Sequence, residues 1–164
     1  MRHNKYVLLT LLLVLVLALT GCDNSDSQST ASKGDKIKTK SSYTAPEVLQ
    51  AFKDAGLPLG RVEEYTAETD PNELLGRPNQ YTGKFNFEDT RQAAPESETL
   101  TGGTVEVFDN KKDLDARKTY IEGVTKNLPT FQQYIYVNKN IMLRIDYALT
   151  PEQAKEYETV LNNL

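Results

Sequence analysis

The sequence predicts an α+β domain over residues 43–164, an antiparallel sheet of four to five strands with helices packed on one face. Three observations carry that expectation. Three helix starts share one local grammar, and four segments alternate apolar and polar residues with the period of a strand. The two kinds of segment follow one another as helix, two strands, helix, two strands, helix.

The helix starts are Thr44-Ala45-Pro46-Glu47, Asp70-Pro71-Asn72-Glu73 and Thr150-Pro151-Glu152-Gln153. Each sets a capping side chain three residues before Glu or Gln, with a proline in the first turn, where its missing N–H costs nothing. The first helix buries Val48, Leu49, Phe52 and Ala55 and stops at Gly56. Val62–Thr66 offers a weaker, fifth strand. The second start gives a single turn, Leu74 and Leu75, closed by Gly76. In the next strand Tyr81, Phe85 and Phe87 alternate with Thr82, Lys84, Asn86 and Glu88. Thr90–Gly103, rich in Glu, Ser, Thr, Ala and Gly, reads as a surface loop. Val105 and Val107 then alternate with Thr104, Glu106 and Phe108.

A longer helix is expected from about Lys111 to Asn127, capped by Asp109 or Asn110 and ended by Pro129. Its inward stripe is Leu114, Arg117 through its stem alone, Ile121, Val124 and Leu128. Tyr134–Val137 and Ile141–Tyr147 flank Asn138-Lys139-Asn140, a hairpin turn whose asparagines tolerate positive φ. The last helix places Ala154, Tyr157, Val160, Leu161 and Leu164 on one face.

Ahead of this domain the composition changes twice. Met1–Lys5 carries Arg2 and Lys5, and Tyr6–Ala18 is almost unbroken Leu, Val and Ala, the charged and apolar regions of a secretory signal. The run from Tyr6 to Thr20 is 15 residues, short of the roughly 20 that cross a bilayer. Residues 23–42 are Ser, Asp, Lys, Thr and Gly with one large aliphatic residue, Ile37. They bury too little apolar surface to offset ordering entropy and read as a disordered tether, whose Lys33, Lys36, Lys38 and Lys40 either sit against anionic headgroups or are solvated.

The single histidine is His3 and the single cysteine is Cys22. With the leader removed the chain has no imidazole and one thiol at its start. That excludes His-based proton shuttles, Cys–His and Ser–His nucleophile pairs, and His/Cys zinc sites. An intrachain disulfide is excluded as well. Carboxylates are the strongest catalytic groups left, and their spacing identifies no pair. Asp109, Asp113 and Asp115 lack the glycine and ligand spacing of a calcium loop and read as a cap with an acidic first turn. Glu63 and Glu64 are adjacent, so in a strand they face opposite ways. Glu152 and Glu156 lie on one exposed helix face, mutually repulsive and solvated. No cofactor or metal is expected. Residues 43–164 hold 13 basic and 20 acidic residues with no basic stripe, which argues against a nucleic-acid partner.

Two features offer binding chemistry. Arg77, between Gly76 and Pro78, has a restricted backbone that either presents its guanidinium in one direction or simply turns the chain into the strand at Tyr81. Lys84, Glu106, Arg144 and Asp146, with nearby tyrosines, either line a binding face of the sheet or form its plain solvent face.

Leu19-Thr20-Gly21-Cys22 resembles the lipobox of bacterial lipoproteins. The resemblance implies cleavage between Gly21 and Cys22, a covalent diacylglycerol and an additional N-acyl chain on Cys22, and attachment to the outer face of the cytoplasmic membrane. Two acyl chains, at about 0.8 kcal/mol per buried CH₂, hold a protein stably where one does not. LLGRPNQYTGKFNFED, GGTVEVFDNKKDLDARKTYIEGV and LRIDYALTPEQAKEYETVL, within residues 74–161, resemble small surface lipoproteins of Gram-positive bacteria. This implies a shared fold and envelope location and supplies no catalytic residue.

The sequence thus divides into a signal peptide (1–21), a lipidated cysteine with tether (22–42) and one domain (43–164). The leading expectation is a lipid-anchored extracytoplasmic binding module with a protein, peptide or wall component as partner. The alternative is an envelope hydrolase or transferase working through carboxylates such as Glu106 or Asp146. A further reading takes Leu13–Gly21 as the source of a short signalling peptide. Candidate contact residues are Arg77, Tyr81, Lys84 and Arg144.

Overall fold

A computed structural model describes residues 40–92 and 99–164. The expected signal peptide, Cys22 and nearly all of the expected tether lie outside the described residues, as does the centre of the loop expected over 90–103. The element order is α1 (Ala45–Asp54), β1 (Leu59–Glu64), β2 (Gly83–Asp89), β3 (Gly102–Val107), α2 (Lys111–Thr125), a 3-10 turn (Pro129–Phe131), β4 (Gln133–Asn138), β5 (Ile141–Asp146) and α3 (Pro151–Asn162). All strand pairs are antiparallel and the sheet order is β1-β2-β3-β5-β4, so the closing hairpin inserts β5 beside β3 and leaves β4 at the edge. The α+β class and the order of helices and strands are as the sequence predicts.

The caps form as their chemistry requires. Thr150 N–H donates to Gln153 Oε1 (2.9 Å) and Gln153 N–H to Thr150 Oγ1 (3.3 Å), a reciprocal box at α3. At α1, Thr44 N–H donates to the Glu47 carboxylate (2.9 Å). Asn110 caps α2, accepting from Asp113 N–H at 3.0 Å. Gly56, at φ +70°, turns the chain out of α1 and lets Leu57 N–H reach back to Phe52 C=O.

One face of the sheet is dry. Phe85, Phe87, Val105, Val107, Ile141, Leu143 and Ile145 meet Val48, Leu49 and Phe52 of α1 and Ala154, Tyr157 and Leu161 of α3. Phe52 stands edge-on to Phe85, Phe87 and Tyr157 at centroid separations of 5.7–6.4 Å. Gly83 lets α1 approach this closely, because a Cβ there would lie 2.8 Å from Val107 Cγ2 and 3.0 Å from Ala45 Cβ.

Several expectations are corrected. The helices share one face only for α1 and α3; α2 crosses to the other, where Leu114 packs with Tyr81, Phe108 and Met142. The polar residues of β2, β3 and β5 are therefore covered, and Lys84 and Glu106 are buried rather than solvated. Tyr81 precedes the start of β2, so it leaves the alternation of Phe85 and Phe87 and joins this second cluster. The expected turn of helix at Leu74-Leu75 does not form; a chain of turns does, organised by the Asp70 carboxylate, which accepts from Leu74 N–H (3.0 Å) and Leu75 N–H (3.1 Å). In the hairpin the positive φ falls on Lys139 (+51°) rather than on an asparagine. Along α2 the inward stripe holds for Leu114 and Arg117 and fails beyond, where Tyr120, Val124 and Leu128 are exposed.

Candidate functional site

The site lies on the second face, where two ion-pair groups are sealed under α2 and the turns of residues 65–82. In the first, Lys84 Nζ donates to Asp70 Oδ1 at 2.7 Å, with both side chains essentially removed from solvent. The Tyr81 hydroxyl donates to Asp70 Oδ2 at 2.5 Å, and the Lys84 ammonium sits 4.6 Å from the centroid of the Tyr65 ring. Burial by itself would raise the Asp70 carboxyl, but the bonds from Lys84, Tyr81 and backbone N–H groups outweigh it and hold it well below the usual carboxylate range. Burial and the neighbouring Asp70 push the Tyr81 phenol up.

The second group centres on Glu106, fully buried on β3. Arg117 of α2 grips both oxygens, Nη2 to Oε1 at 3.0 Å and Nε to Oε2 at 3.3 Å. Its guanidinium also faces the rings of Tyr81 and Tyr120, at 5.5 and 5.8 Å. From β5, Arg144 reaches the same carboxylate through a longer Nη2–Oε1 bond of 3.4 Å. Arg144 Nη1 donates to Gln133 Oε1 (3.0 Å), while Gln133 Nε2 donates to Asp146 (2.8 Å), so one amide orients both charges. Gly102 N–H completes the partners of Asp146 at 2.9 Å. Arg144 Nε is buried and has no hydrogen-bond partner among the described residues.

Two clefts open beside this group. One, of about 660 Å³, is lined by Leu74, Gln80, Arg117, Tyr120, Ile121 and Arg144 with Asn72 and Asn79 at its rim. The other, of about 600 Å³, is lined by Val124, Leu128, Phe131, Gln133, Asp146 and Tyr147. Ile121 and Arg144 line both. Half-exposed apolar side chains border them: Tyr120, Val124, Leu128, Phe131 and Tyr147.

Of the candidate contact residues, Arg144 alone lines these clefts. Lys84 and Tyr81 lie beneath them in the Asp70 cluster, and Arg77 is exposed on its turn, 3.6 Å from Glu73. The sequence reading missed Arg117, assigned as a stem, and Gln133. A basic residue inside an apolar helical stripe, with an acid on a strand facing it, was the available signal for Arg117. Glu106, a carboxylate of the alternative enzymatic reading, has no exposed atom and is held by two guanidiniums; Asp146 is held by Gln133 and Gly102.

A third group sits at the edge of the dry core. Asp89, fully buried, is bridged by Arg91 (Nε–Oδ1 2.9 Å, Nη2–Oδ2 2.7 Å) and accepts from the Tyr157 hydroxyl at 2.8 Å. Arg91 extends to Glu156 at 2.9 Å, so Glu156 is paired rather than merely solvated. No part of this group opens into the clefts.

Among the described residues, no helix is long and apolar enough to cross a membrane, and no group of three or more His, Cys, Asp or Glu is placed to hold a metal ion. No family model, curated protein or solved structure matches the chain significantly.

Proposed function

We propose that this chain is a lipid-anchored binding module of the cell envelope, held to the outer face of the cytoplasmic membrane through diacylglycerol and N-acyl chains on Cys22. Its partner, a protein, peptide or wall component, docks in the clefts beside α2. The lipobox-like Leu19–Cys22 supports the anchor. The observation that carries the binding reading is Arg144, which lines both clefts and whose buried Nε has no hydrogen-bond partner among the described residues. A buried donor left unpaired costs about 1–3 kcal/mol, a cost that an incoming acceptor removes. The carboxylates near the clefts are engaged by protein donors, which favours binding over acid–base catalysis.

Two experiments test the two halves. Cys22→Ala should leave unprocessed precursor and abolish metabolic labelling with a fatty acid; persistent labelling removes the anchor. Affinity capture from envelope extracts with residues 23–164 should retain a component that Arg144→Ala loses and Arg77→Ala keeps. Capture indifferent to Arg144 removes the cleft from the function.

A further inference from the structure

We infer that the outer edge of β4 pairs with β4 of a second copy of this chain, antiparallel and about a two-fold axis, so that two five-stranded sheets become one. This goes beyond the cleft reading and does not depend on it.

The ladder fixes which backbone groups of β4 are free. Phe108 N–H donates to Asn140 C=O at 2.9 Å, and along an antiparallel pair bonded and non-bonded residues alternate. In β5 that turns Met142 and Arg144 toward β3, opposite Glu106 and Thr104, and turns Ile141, Leu143 and Ile145 toward β4. Their partners Asn138, Tyr136 and Tyr134 are thereby satisfied. Gln133, Ile135 and Val137 point their N–H and C=O groups the other way, where no further strand lies among the described residues.

An edge of this kind is a template for another strand unless something blunts it. β1, at the opposite edge, is blunted twice. It carries Arg61, Glu63 and Glu64, and its register shifts between Leu59 and Val62. β4 has neither protection. Gln133–Asn138 contains no charge, proline or glycine, and residues 127–138 are the longest run without Asp, Glu, Lys or Arg in residues 43–164. Leu128, Phe131 and Val137 keep apolar surface exposed there. A gap lined by Thr125, Lys126, Gln133 and Ile135 holds α2 back from the strand.

Two features select a second copy as the occupant. Residues 43–164 hold 13 basic and 20 acidic residues, so two copies repel wherever their surfaces are ionic, and least along this uncharged strip. The free residues are also centred on Ile135. A two-fold axis normal to the sheet sets free residues opposite free residues: Ile135 meets its own twin, and Gln133 meets Val137 of the second copy. Each such pair exchanges both of its N–H···O=C bonds. Between them Tyr134 meets Tyr136 on the face that carries α1 and α3. Aromatic and β-branched pairs of this kind stabilise neighbouring strands, and no charge meets a like charge.

The test uses residues 23–164, which contain the compact unit Ile37–Leu164 and no cysteine. Sedimentation equilibrium from about 10 μM to about 1 mM should show a monomer–dimer equilibrium. Over the same range, hydrogen exchange at the Gln133, Ile135 and Val137 amides should slow at least tenfold. Exchange at Tyr134 and Tyr136, already bonded to β5, should not follow. Val137→Lys, at an exposed position, should weaken the dimer at least tenfold, whereas Arg77→Ala should not change it. Under mild oxidation Ile135→Cys should cross-link to its twin, the Cα atoms being about 5.5 Å apart. Val137→Cys, more than about 10 Å from its own twin, should not. A chain that stays monomeric to about 1 mM overturns the second copy and leaves the edge to a foreign strand. A dimer whose three edge amides exchange as fast as in the monomer overturns the edge. Cross-linking at residue 137 rather than 135 overturns the register. Should the cysteine variants unfold, exchange in the unaltered chain decides alone. None of these results bears on lipidation of Cys22 or on the clefts, which are tested separately.

Discussion

The Tyr81 hydroxyl donates to Asp70 Oδ2 at 2.5 Å, and this bond ties the turns after β1 to a residue just before β2. The same carboxylate takes the Lys84 ammonium and three backbone N–H groups, of Asn72, Leu74 and Leu75. One side chain therefore organises the whole crossover that walls the first cleft.

Asp70→Asn should consequently be among the most damaging single substitutions. It leaves Lys84, essentially removed from solvent, without a counter-charge, and breaking such a pair costs about 3–5 kcal/mol. Chemical denaturation measures the loss. A cost below about 1 kcal/mol, the value of an exposed pair, would show that Lys84 finds water.

Acid stability follows from Asp70 and Asp89 together, both held below the ordinary carboxylate range. For Asp89 burial acts upward, and the bonds from Arg91 and Tyr157 act downward and prevail. A depressed native value means that the unfolded chain binds more protons. Stability is therefore complete above the ordinary range and is lost as pH falls through the depressed one, below about pH 4. Thermal melts from pH 6 down to pH 2 should fall most steeply below about pH 4, and Asp70→Asn should flatten that slope.

At alkaline pH the sign reverses through the tyrosines. Burial and Asp89 raise Tyr157, and burial with Glu63 pushes Tyr65 to about 12. The native state then holds protons that the unfolded chain releases, so stability persists below about pH 10 and is lost above it. Tyr157→Phe should cost about 1–3 kcal/mol by leaving Asp89 one donor short. It should also reduce the alkaline loss seen in melts above pH 10.

Arg117 and Arg144 should separate in a stability measurement. Arg117→Met removes the two-point partner of a fully buried carboxylate and should cost about 3–5 kcal/mol. Arg144→Met leaves that pair intact and gives up the Gln133 bond and the long contact with Glu106 while removing an unpaired buried N–H, so its cost should be clearly the smaller of the two. Equal losses from both would make Arg144 a structural residue.

The sequence displayed the dry face clearly, because aromatic and β-branched residues alternate in β2, β3 and β5 and the helix caps carry their own chemistry. What it could not display was the second layer. Lys84, Glu106 and Arg144 obey the same alternation that a solvated face obeys, and only α2 crossing the sheet distinguishes the two cases. Arg117 marked that crossing, since a cation in the stripe beside Leu114 demands an acid across from it. Asp70 misled for a related reason: its cap chemistry is real, but the carboxylate also engages Lys84 and Tyr81, and turns replace the helix. Gln133 carried no signal, because its part depends on β4 pairing with β5 to set it beside Asp146.

The approach of α1 to the sheet gives one further expectation. Gly83→Ala places a methyl 2.8 Å from Val107 Cγ2 and 3.0 Å from Ala45 Cβ, an overpacking that costs about 1–3 kcal/mol. Combining it with Ala45→Gly should recover part of the loss in the same denaturation experiment.

The two unlike faces of the sheet also bear on how strands find their partners. Glu106 lies opposite Met142, and Thr104 opposite Arg144, across β3 and β5. A slip of one position between these strands would turn ionic side chains into the aromatic layer and aliphatic ones toward Arg117, an error penalised on both sides at once. Chain segments separated by all of α2 and β4 are thereby held to a single alignment, and the buried charges act as a proofreading device during assembly.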